Sequence, residues 1–173
     1  MKIIIINGSG GSGKSSFVDF AKKSGLNILE FSMVDRVKEL ATEIGWNGIK
    51  DEKGRRFLSD LKDSLDRYCD FSFQAVLCDI EFQTANLDEF DDMIIFIHAR
   101  EPKDIKRWVE EFDAKSLLIL RPNIEQFLNH ADQDVYNYVY NYVYENIDTI
   151  EQLEIDAVNF VKWINLKEWE SHL

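Results

Sequence analysis

Residues 1–16 read MKIIIINGSGGSGKSS, and this stretch decides the fold. Four consecutive isoleucines that end at a glycine turn predict a strand buried on both faces, as in a parallel sheet. Residues 8–15 then match the phosphate-binding pattern G-x-x-x-x-G-K-[ST] without a mismatch. An amphipathic segment follows the loop, as this pattern requires. The stretch therefore predicts a binding site for a nucleoside triphosphate.

The residue types of the loop explain its chemistry. Glycines allow backbone N–H groups to converge on phosphate oxygens, and the helix that follows adds the positive end of its dipole. Lys14 is expected to reach the β- and γ-phosphates, and the Ser15 hydroxyl is expected to bind magnesium. The predicted nucleotide-binding residues are Gly8, Ser9, Gly10, Gly11, Ser12, Gly13, Lys14, Ser15 and Ser16.

Length, charge and cysteine content narrow the class of protein. The 173 residues predict one domain with a substantial core. A formal charge of −12 argues against general affinity for nucleic acid or anionic membranes. Cys69 and Cys78 lack metal-ligand spacing and are expected to be reduced thiols. With no apolar span and no signal peptide expected, the sequence predicts a cytoplasmic protein.

Apolar periodicity predicts five strands separated by helices. Besides the first strand, the predicted strands are 27–31, 93–97, 116–120 and 136–144. The predicted helices are 14–24, a helix with apolar positions from 34 to 44 that Ser32 could cap, a helix after residue 54 with apolar positions from 57 to 68, 102–112 and 150–164, with a short helical piece ending near residue 130.

Residues 73–85 have two interpretations. They could form a strand that ends in Asp79, which would then be a magnesium ligand. Alternatively, Phe73, Val76, Leu77 and Ile80 fall at helical spacing, and no turn residue interrupts the run. The spacing favours a helix, which makes Asp79 an ordinary helix residue.

Alternating strands and helices predict an α/β fold, with a parallel sheet of about five strands covered by helices on both faces. Ligands bind such sheets at the carboxyl ends of the strands. Polar residues follow each predicted strand there. Beyond the first loop they are Ser32 with Asp35 and Arg36, His98 with Arg100, Arg121, and Glu145 with Asn146.

The arginines near these ends suit phosphate recognition, but each has a second interpretation. Arg55 and Arg56 open a predicted helix, where positive charge is unfavourable. They could bind a phosphate, or be surface charges neutralised by Asp51 and Glu52. Arg100 could bind phosphate, or pair with a neighbouring carboxylate. His98 could contact a substrate or a magnesium-bound water, although a hydrogen-bonded strand-end histidine is the simpler interpretation.

Four stretches together resemble the nucleoside and deoxynucleoside monophosphate kinases, an adenylate kinase-like P-loop family related to the dephospho-CoA kinases. They are residues 8–15, residues 50–58 (KDEKGRRFL), Arg100-Glu101-Pro102, and residues 142–146 (YVYEN). The resemblance implies a three-layer P-loop NTPase fold with the first strand between the third and fourth. It also implies an acceptor-binding segment at about 32–70 and a reduced lid at about 122–137.

The resemblance also implies roles for individual residues. Lys14, Arg100 and Arg121 would be catalytic, Ser15 would bind the metal, and the acceptor would contact Asp35, Arg36, Arg55, Arg56 and Arg100. Two features depart from the family. Residues 122–148 contain no Lys or Arg, and His98 stands where many relatives place an aspartate.

The predicted function is magnesium-dependent transfer of the ATP γ-phosphoryl group to a small phosphorylated acceptor. The predicted acceptor is a nucleoside or deoxynucleoside monophosphate, and the predicted partners are small molecules only. Two alternatives remain: a kinase for another small metabolite, and a nucleotide-binding regulator or slow NTPase. The oligomeric state is not predicted.

Overall fold

The computed structural model describes residues 1–85, 93–122 and 134–167. The chain divides into two compact units. The first consists of Met1–Glu30 and Glu89–Leu173, and the second is Phe31–Asp88.

The secondary structure follows the predicted alternation. The strands are β1 (Lys2–Asn7), β2 (Asn27–Ser32), β3 (Met93–His98), β4 (Lys115–Leu120) and β5 (Tyr142–Glu145). The helices are α1 (Lys14–Ala21), α2 (Asp35–Glu43), α3 (Glu52–Cys69), α4 (Phe71–Thr84), α5 (Pro102–Phe112) and α6 (Ile150–Leu166), with 3-10 turns at Lys22–Ser24 and Asp134–Asn137.

The five strands form one parallel sheet in the order β2-β3-β1-β4-β5. The first strand lies between the third and fourth, which confirms the predicted topology. Near its carboxyl end, Ile6 pairs with His98 of β3 and Asn7 pairs with Leu118 of β4. Because neighbours cover both edges of β1, the phosphate-binding pattern starts at the centre of the sheet.

Helices cover both faces of the sheet in the first unit. Ile4 and Ile6 of β1 pack with Phe17 of α1 and Leu153 of α6 in one buried cluster. Burying an isoleucine or a phenylalanine contributes about 1.5–3 kcal/mol. On the other side α5 packs against β1 and β4, where Trp108 is fully buried. This packing fixes the position from which α1 starts.

Lys2 connects the first strand with the last helix. Its Nζ donates hydrogen bonds to the carbonyl oxygens of Ile164, Asn165 and Lys167, at 2.8, 2.6 and 2.9 Å. The last carbonyls of a helix have no partner within the helix and carry partial negative charge. Lys2 therefore caps the carboxyl end of α6.

The second unit contains α2, α3 and α4. Residues 71–84 are helical, which confirms the helical interpretation and places Asp79 within α4. Asp66 accepts hydrogen bonds from Lys62 Nζ and from the Ser72 backbone N–H, both at 2.8 Å. Although burial alone would raise it, these hydrogen bonds lower the pKa of Asp66. The charged Asp66 thus caps the start of α4 from α3.

The predicted fifth strand, 136–144, is wrong in its first part. Only Tyr142–Glu145 pairs with β4, and Asp134–Asn137 forms a 3-10 turn. The alternating tyrosines before β5 belong to a segment without backbone pairing. Its side chains instead form hydrogen bonds with other strands, Tyr140 with Asn7 of β1 and Asn141 with Ser116 of β4. The short helical piece predicted near residue 130 lies outside the described residues. None of the helices in the described ranges combines the length and apolarity needed to cross a bilayer.

Candidate nucleotide-binding site

The phosphate-binding pattern lies between the end of β1 and the start of α1, as predicted. Gly8 and Gly13, its two fixed glycines, have positive φ values of 147° and 100°. A Cβ at Gly8 would lie 2.3 Å from the carbonyl oxygen of Ile119, and one at Gly13 would lie 2.5 Å from Asn146 Nδ2. The backbone of the loop lies so close to β4 at Gly8, and to Asn146 after β5 at Gly13, that both positions require glycine.

Lys14 is bound to its own loop. Its Nζ donates to the carbonyl oxygens of Gly8 and Ser9, at 2.5 and 2.8 Å. These carbonyls hold a positive charge directly over the loop, where a phosphate oxygen would be a stronger partner. The side chain of Ser15, in the first turn of α1, is exposed to solvent. The loop therefore presents an ammonium group, a hydroxyl group and the positive end of α1 to one ligand.

A cavity adjoins the loop. Asn146 is buried, and its Nδ2 donates to the carbonyl oxygen of Ser12 at 2.9 Å. The same residue lines a cavity of about 240 Å³ together with Arg121, Pro122, Ile147 and Asp148. Asn146 therefore joins the phosphate loop to a space outside the carboxyl ends of β4 and β5.

Magnesium fits the donors that the loop offers. The described residues contain no group of three or more His, Cys, Asp or Glu side chains able to hold a metal. Magnesium that accompanies a nucleotide keeps several waters and takes only one or two protein ligands beside the phosphates. An exposed Ser15 hydroxyl satisfies that requirement without a protein cage.

The end of β3 carries a hydrogen-bonded histidine. His98 Nε2 lies 2.8 Å from Glu30 Oε1, and the other carboxylate oxygen of Glu30 lies 2.6 Å from Lys22 Nζ. The hydrogen bond with His98, with the ammonium of Lys22 beside it, lowers the pKa of Glu30 to about 2. This geometry agrees with the simpler interpretation of His98 as a hydrogen-bonded histidine at the end of a strand.

The structure also places the two arginines predicted to be catalytic. Arg100 follows β3 and is exposed, and its backbone carbonyl accepts a hydrogen bond from Asn7 Nδ2 at 3.1 Å. Arg121 follows β4, is exposed, and lines the cavity beside Asn146. The backbone of Arg100 is therefore linked to the loop through Asn7. Arg121 lies beside Asn146, which contacts the loop.

Two of the predicted acceptor contacts, in the first turn of α2, are engaged in ion pairs. Asp35 Oδ1 lies 2.7 Å from Lys38 Nζ. Arg36 donates two hydrogen bonds to Asp79, at 3.1 and 2.5 Å, and one to Glu39 at 2.7 Å. In this arrangement one guanidinium edge of Arg36 is bound to a carboxylate of α4.

Arg55 and Arg56 lie in the first turn of α3, as predicted, and both are exposed. Asp51 caps this helix, because its Oδ1 accepts from the Gly54 N–H at 2.7 Å. Arg56 Nε lies 3.9 Å from Asp60, and its side chain is 84% exposed. Arg56 can therefore leave this weak pair at little cost to bind an anion.

The sequence interpretation missed three residues that hold the site together: Asn7, Glu30 and Tyr140. Asn7 is fully buried, and the available signal was one amide residue at the end of a run of isoleucines. Glu30 contacts His98, which is 68 residues away along the chain, and Tyr140 contacts Asn7, which is 133 residues away. No local pattern predicts such contacts.

Comparison with known proteins gives structural matches only. No family model matches the chain, and no curated protein sequence matches it. Among solved structures, TT1252 from Thermus thermophilus has a TM-score of 0.56 and 15% identity over 96% of this chain and 98% of that chain. Shikimate kinase from Aquifex aeolicus has a TM-score of 0.50 and 11% identity over 96% and 99%. A dephospho-CoA kinase from Campylobacter jejuni has a TM-score of 0.48 and 13% identity over 94% of this chain and 97% of that chain.

At these identities the likeness shows the fold and not the reaction. The chain has the three-layer α/β fold of P-loop NTPases, which confirms the predicted fold class.

Proposed function

We propose that this chain transfers the γ-phosphoryl group of ATP to a small phosphorylated acceptor, with a nucleoside or deoxynucleoside monophosphate as the acceptor class. The observation that carries the proposal is the glycine-constrained loop, with Lys14 over it and a cavity beside it. A phosphate chain on the loop and a base in the cavity would account for both features. The match to a structure named as a kinase supports this reading of the fold.

In this reaction the bond between the γ-phosphorus and the β-bridging oxygen breaks, and a bond to an acceptor phosphate oxygen forms. Lys14 would leave the carbonyls of Gly8 and Ser9 and donate to the β- and γ-phosphates. Arg100 would offset charge that develops on the transferred group, and Arg121 would cover the nucleotide. Positioning and electrostatics supply most of the rate in phosphoryl transfer. Magnesium, when bound, neutralises phosphate oxygens, and Ser15 would be its protein ligand.

We further propose that residues 1–173 act as one kinase domain, in which the segment 32–70 binds the acceptor and 122–137 is a reduced lid. Within the first of these segments, Arg55 and Arg56 are the preferred phosphate contacts because both are exposed. Asp35 and Arg36 are the weaker candidates, since Arg36 would have to exchange Asp79 for the acceptor.

Release of ADP tests the reaction. ADP formation from magnesium ATP should rise well above background when the right ribo- or deoxynucleoside monophosphate is added. Arg55→Ala and Arg56→Ala should each raise the KM for that acceptor about 10- to 100-fold, the loss of a charge-assisted contact of about 1.5–3 kcal/mol, with the KM for ATP unchanged. Arg67→Ala, an exposed arginine at the other end of α3, is the matched control and should change neither value.

A second candidate function has its own support. Residues 122–148 contain no Lys or Arg, so this segment offers few cations to the transition state. A nucleotide-binding regulator or slow NTPase fits this feature. ATP binding without stimulation by any monophosphate would favour it. Stimulation by another small metabolite would instead identify a kinase with a different acceptor.

A further inference from the structure

Asn7 is the last residue of β1 and uses both ends of its amide. It is fully buried. Its Oδ1 accepts a hydrogen bond from the N–H of Gly8 at 2.8 Å, and its Nδ2 donates to the carbonyl of Arg100 at 3.1 Å and to Tyr140 Oη at 2.7 Å. One side chain thus joins the first peptide of the phosphate loop, the turn that carries Arg100, and the segment before β5.

Tyr140 continues this connection. Its hydroxyl accepts from Asn7 and donates to the carbonyl oxygen of Val135 at 2.8 Å, and Val135 is fully buried. Burial raises the pKa of Tyr140 to about 12, so the hydroxyl keeps its proton at working pH. The next residue, Asn141, accepts from the Ser116 N–H at 2.8 Å. Tyr140 is therefore fixed from both sides along the chain.

From this network we propose that Asn7 and Tyr140 are positioning residues that hold Arg100 in register with the phosphate loop. The proposal rests on the proposed function, in which Arg100 faces the γ-phosphate. A buried amide whose donors and acceptor are all used allows one orientation, because any rotation leaves a buried polar group unpaired. Displacement of a reacting group by about 1 Å costs about 100-fold in rate, so this register matters for transfer.

A role in stability alone makes a different prediction. If Asn7 and Tyr140 only satisfied buried polar groups, their loss would lower the melting temperature and leave nucleotide discrimination unchanged. If they position Arg100, their loss lowers the preference of the loop for a nucleotide that has a γ-phosphate. That preference is the ratio of the Kd for magnesium ADP to the Kd for magnesium AMPPNP, a non-hydrolysable ATP analogue.

The decisive measurement is this ratio, by calorimetric titration, in a double-mutant cycle. Tyr140→Phe keeps the ring and removes both hydrogen bonds, and we expect it to lower the ratio about 3- to 10-fold. Arg100→Ala should lower the ratio at least as much, and the double variant should match Arg100→Ala alone. Tyr138→Phe is the control. Tyr138 lies in the same segment, and its ring centroid is 5.1 Å from that of Tyr140. This variant should leave the ratio unchanged.

Three results would overturn the proposal: an unchanged ratio in Tyr140→Phe, an unchanged ratio in Arg100→Ala, or additive effects in the double variant. None of these measurements needs an acceptor. If the cycle behaves as expected and no monophosphate stimulates ADP release, the proposed kinase reaction fails while the positioning of Arg100 stands.

Discussion

Replacing Gly13 by alanine tests the geometry of the phosphate loop most directly. The new Cβ would lie 2.5 Å from Asn146 Nδ2, on a backbone with a φ of 100°. Asn146 would have to move, and its buried hydrogen bond to the carbonyl of Ser12, now 2.9 Å long, would break. The left-handed backbone costs an alanine about 1–2 kcal/mol, and the broken bond adds about 1–3 kcal/mol. We expect Gly13→Ala to lower the free energy of unfolding by about 2–5 kcal/mol.

Gly10→Ala is the matched control within the same loop. No atom lies within 4 Å of a Cβ built at Gly10, and its φ is not positive. This change should alter the free energy of unfolding by less than about 0.5 kcal/mol. Urea unfolding of the three proteins gives the values, and Gly13→Ala should melt about 5–15 °C lower than the control.

The same variants separate stability from binding. At a temperature where Gly13→Ala is folded, it should bind magnesium ATP more weakly, because the displaced loop no longer aims its N–H groups at one phosphate. Gly10→Ala leaves the backbone of the loop in place, so it should weaken ATP binding less than Gly13→Ala does. If Gly13→Ala and Gly10→Ala were equally stable, the loop would not lie against Asn146, and the reasoning would be refuted.

Three other substitutions test separate contacts. Lys14→Met should weaken magnesium ATP binding about 10- to 100-fold in calorimetry, and unchanged affinity would mean that Lys14 does not contact the nucleotide. Lys23→Met is the control, because it removes the same charge from an exposed ion pair, and it should not weaken ATP binding. Lys2→Met should lower the free energy of urea unfolding by about 1–2 kcal/mol, because the last carbonyls of α6 lose their cap; unchanged stability would mean that water replaces Lys2 at no cost. Glu30→Gln should also be less stable at pH 7, by about 1–2 kcal/mol. Because folding lowers the pKa of Glu30 from 4.5 to about 2, the stability difference between the two proteins should persist above pH 4.5 and vanish as the pH falls toward 2. A stability difference that stays constant from pH 7 to pH 2 would contradict a charged Glu30 paired with Lys22.

Local patterns predicted the centre of the molecule because each depends on neighbours along the chain. Four isoleucines before a glycine pattern predict a buried strand, a glycine loop and a helix in that order, and the structure has β1 followed by the loop and α1. Residues 71–84 were predictable as a helix because their apolar side chains recur at helical spacing. In both cases the deciding interactions lie within about ten residues.

Elsewhere the deciding interactions are distant. Alternating tyrosines in residues 136–141 have the period of a strand, but Tyr140 is oriented by Asn7 and Asn141 by Ser116. These side-chain contacts replace the backbone pairing that the period predicts. The carboxylate beside His98 comes from Glu30, on another strand. Only the assembled sheet brings such residues together.

The central position of β1 in the sheet has a consequence for folding during synthesis on the ribosome. β1 pairs with residues 94–98 and 115–118, so it leaves the ribosome long before either neighbour exists. At about 5–20 residues per second, β1 waits roughly 5–20 seconds for β4. During this time four isoleucines have two unpaired edges, and such edges recruit other chains. The strand at the centre of the sheet is therefore the strand that waits longest for its partners during synthesis.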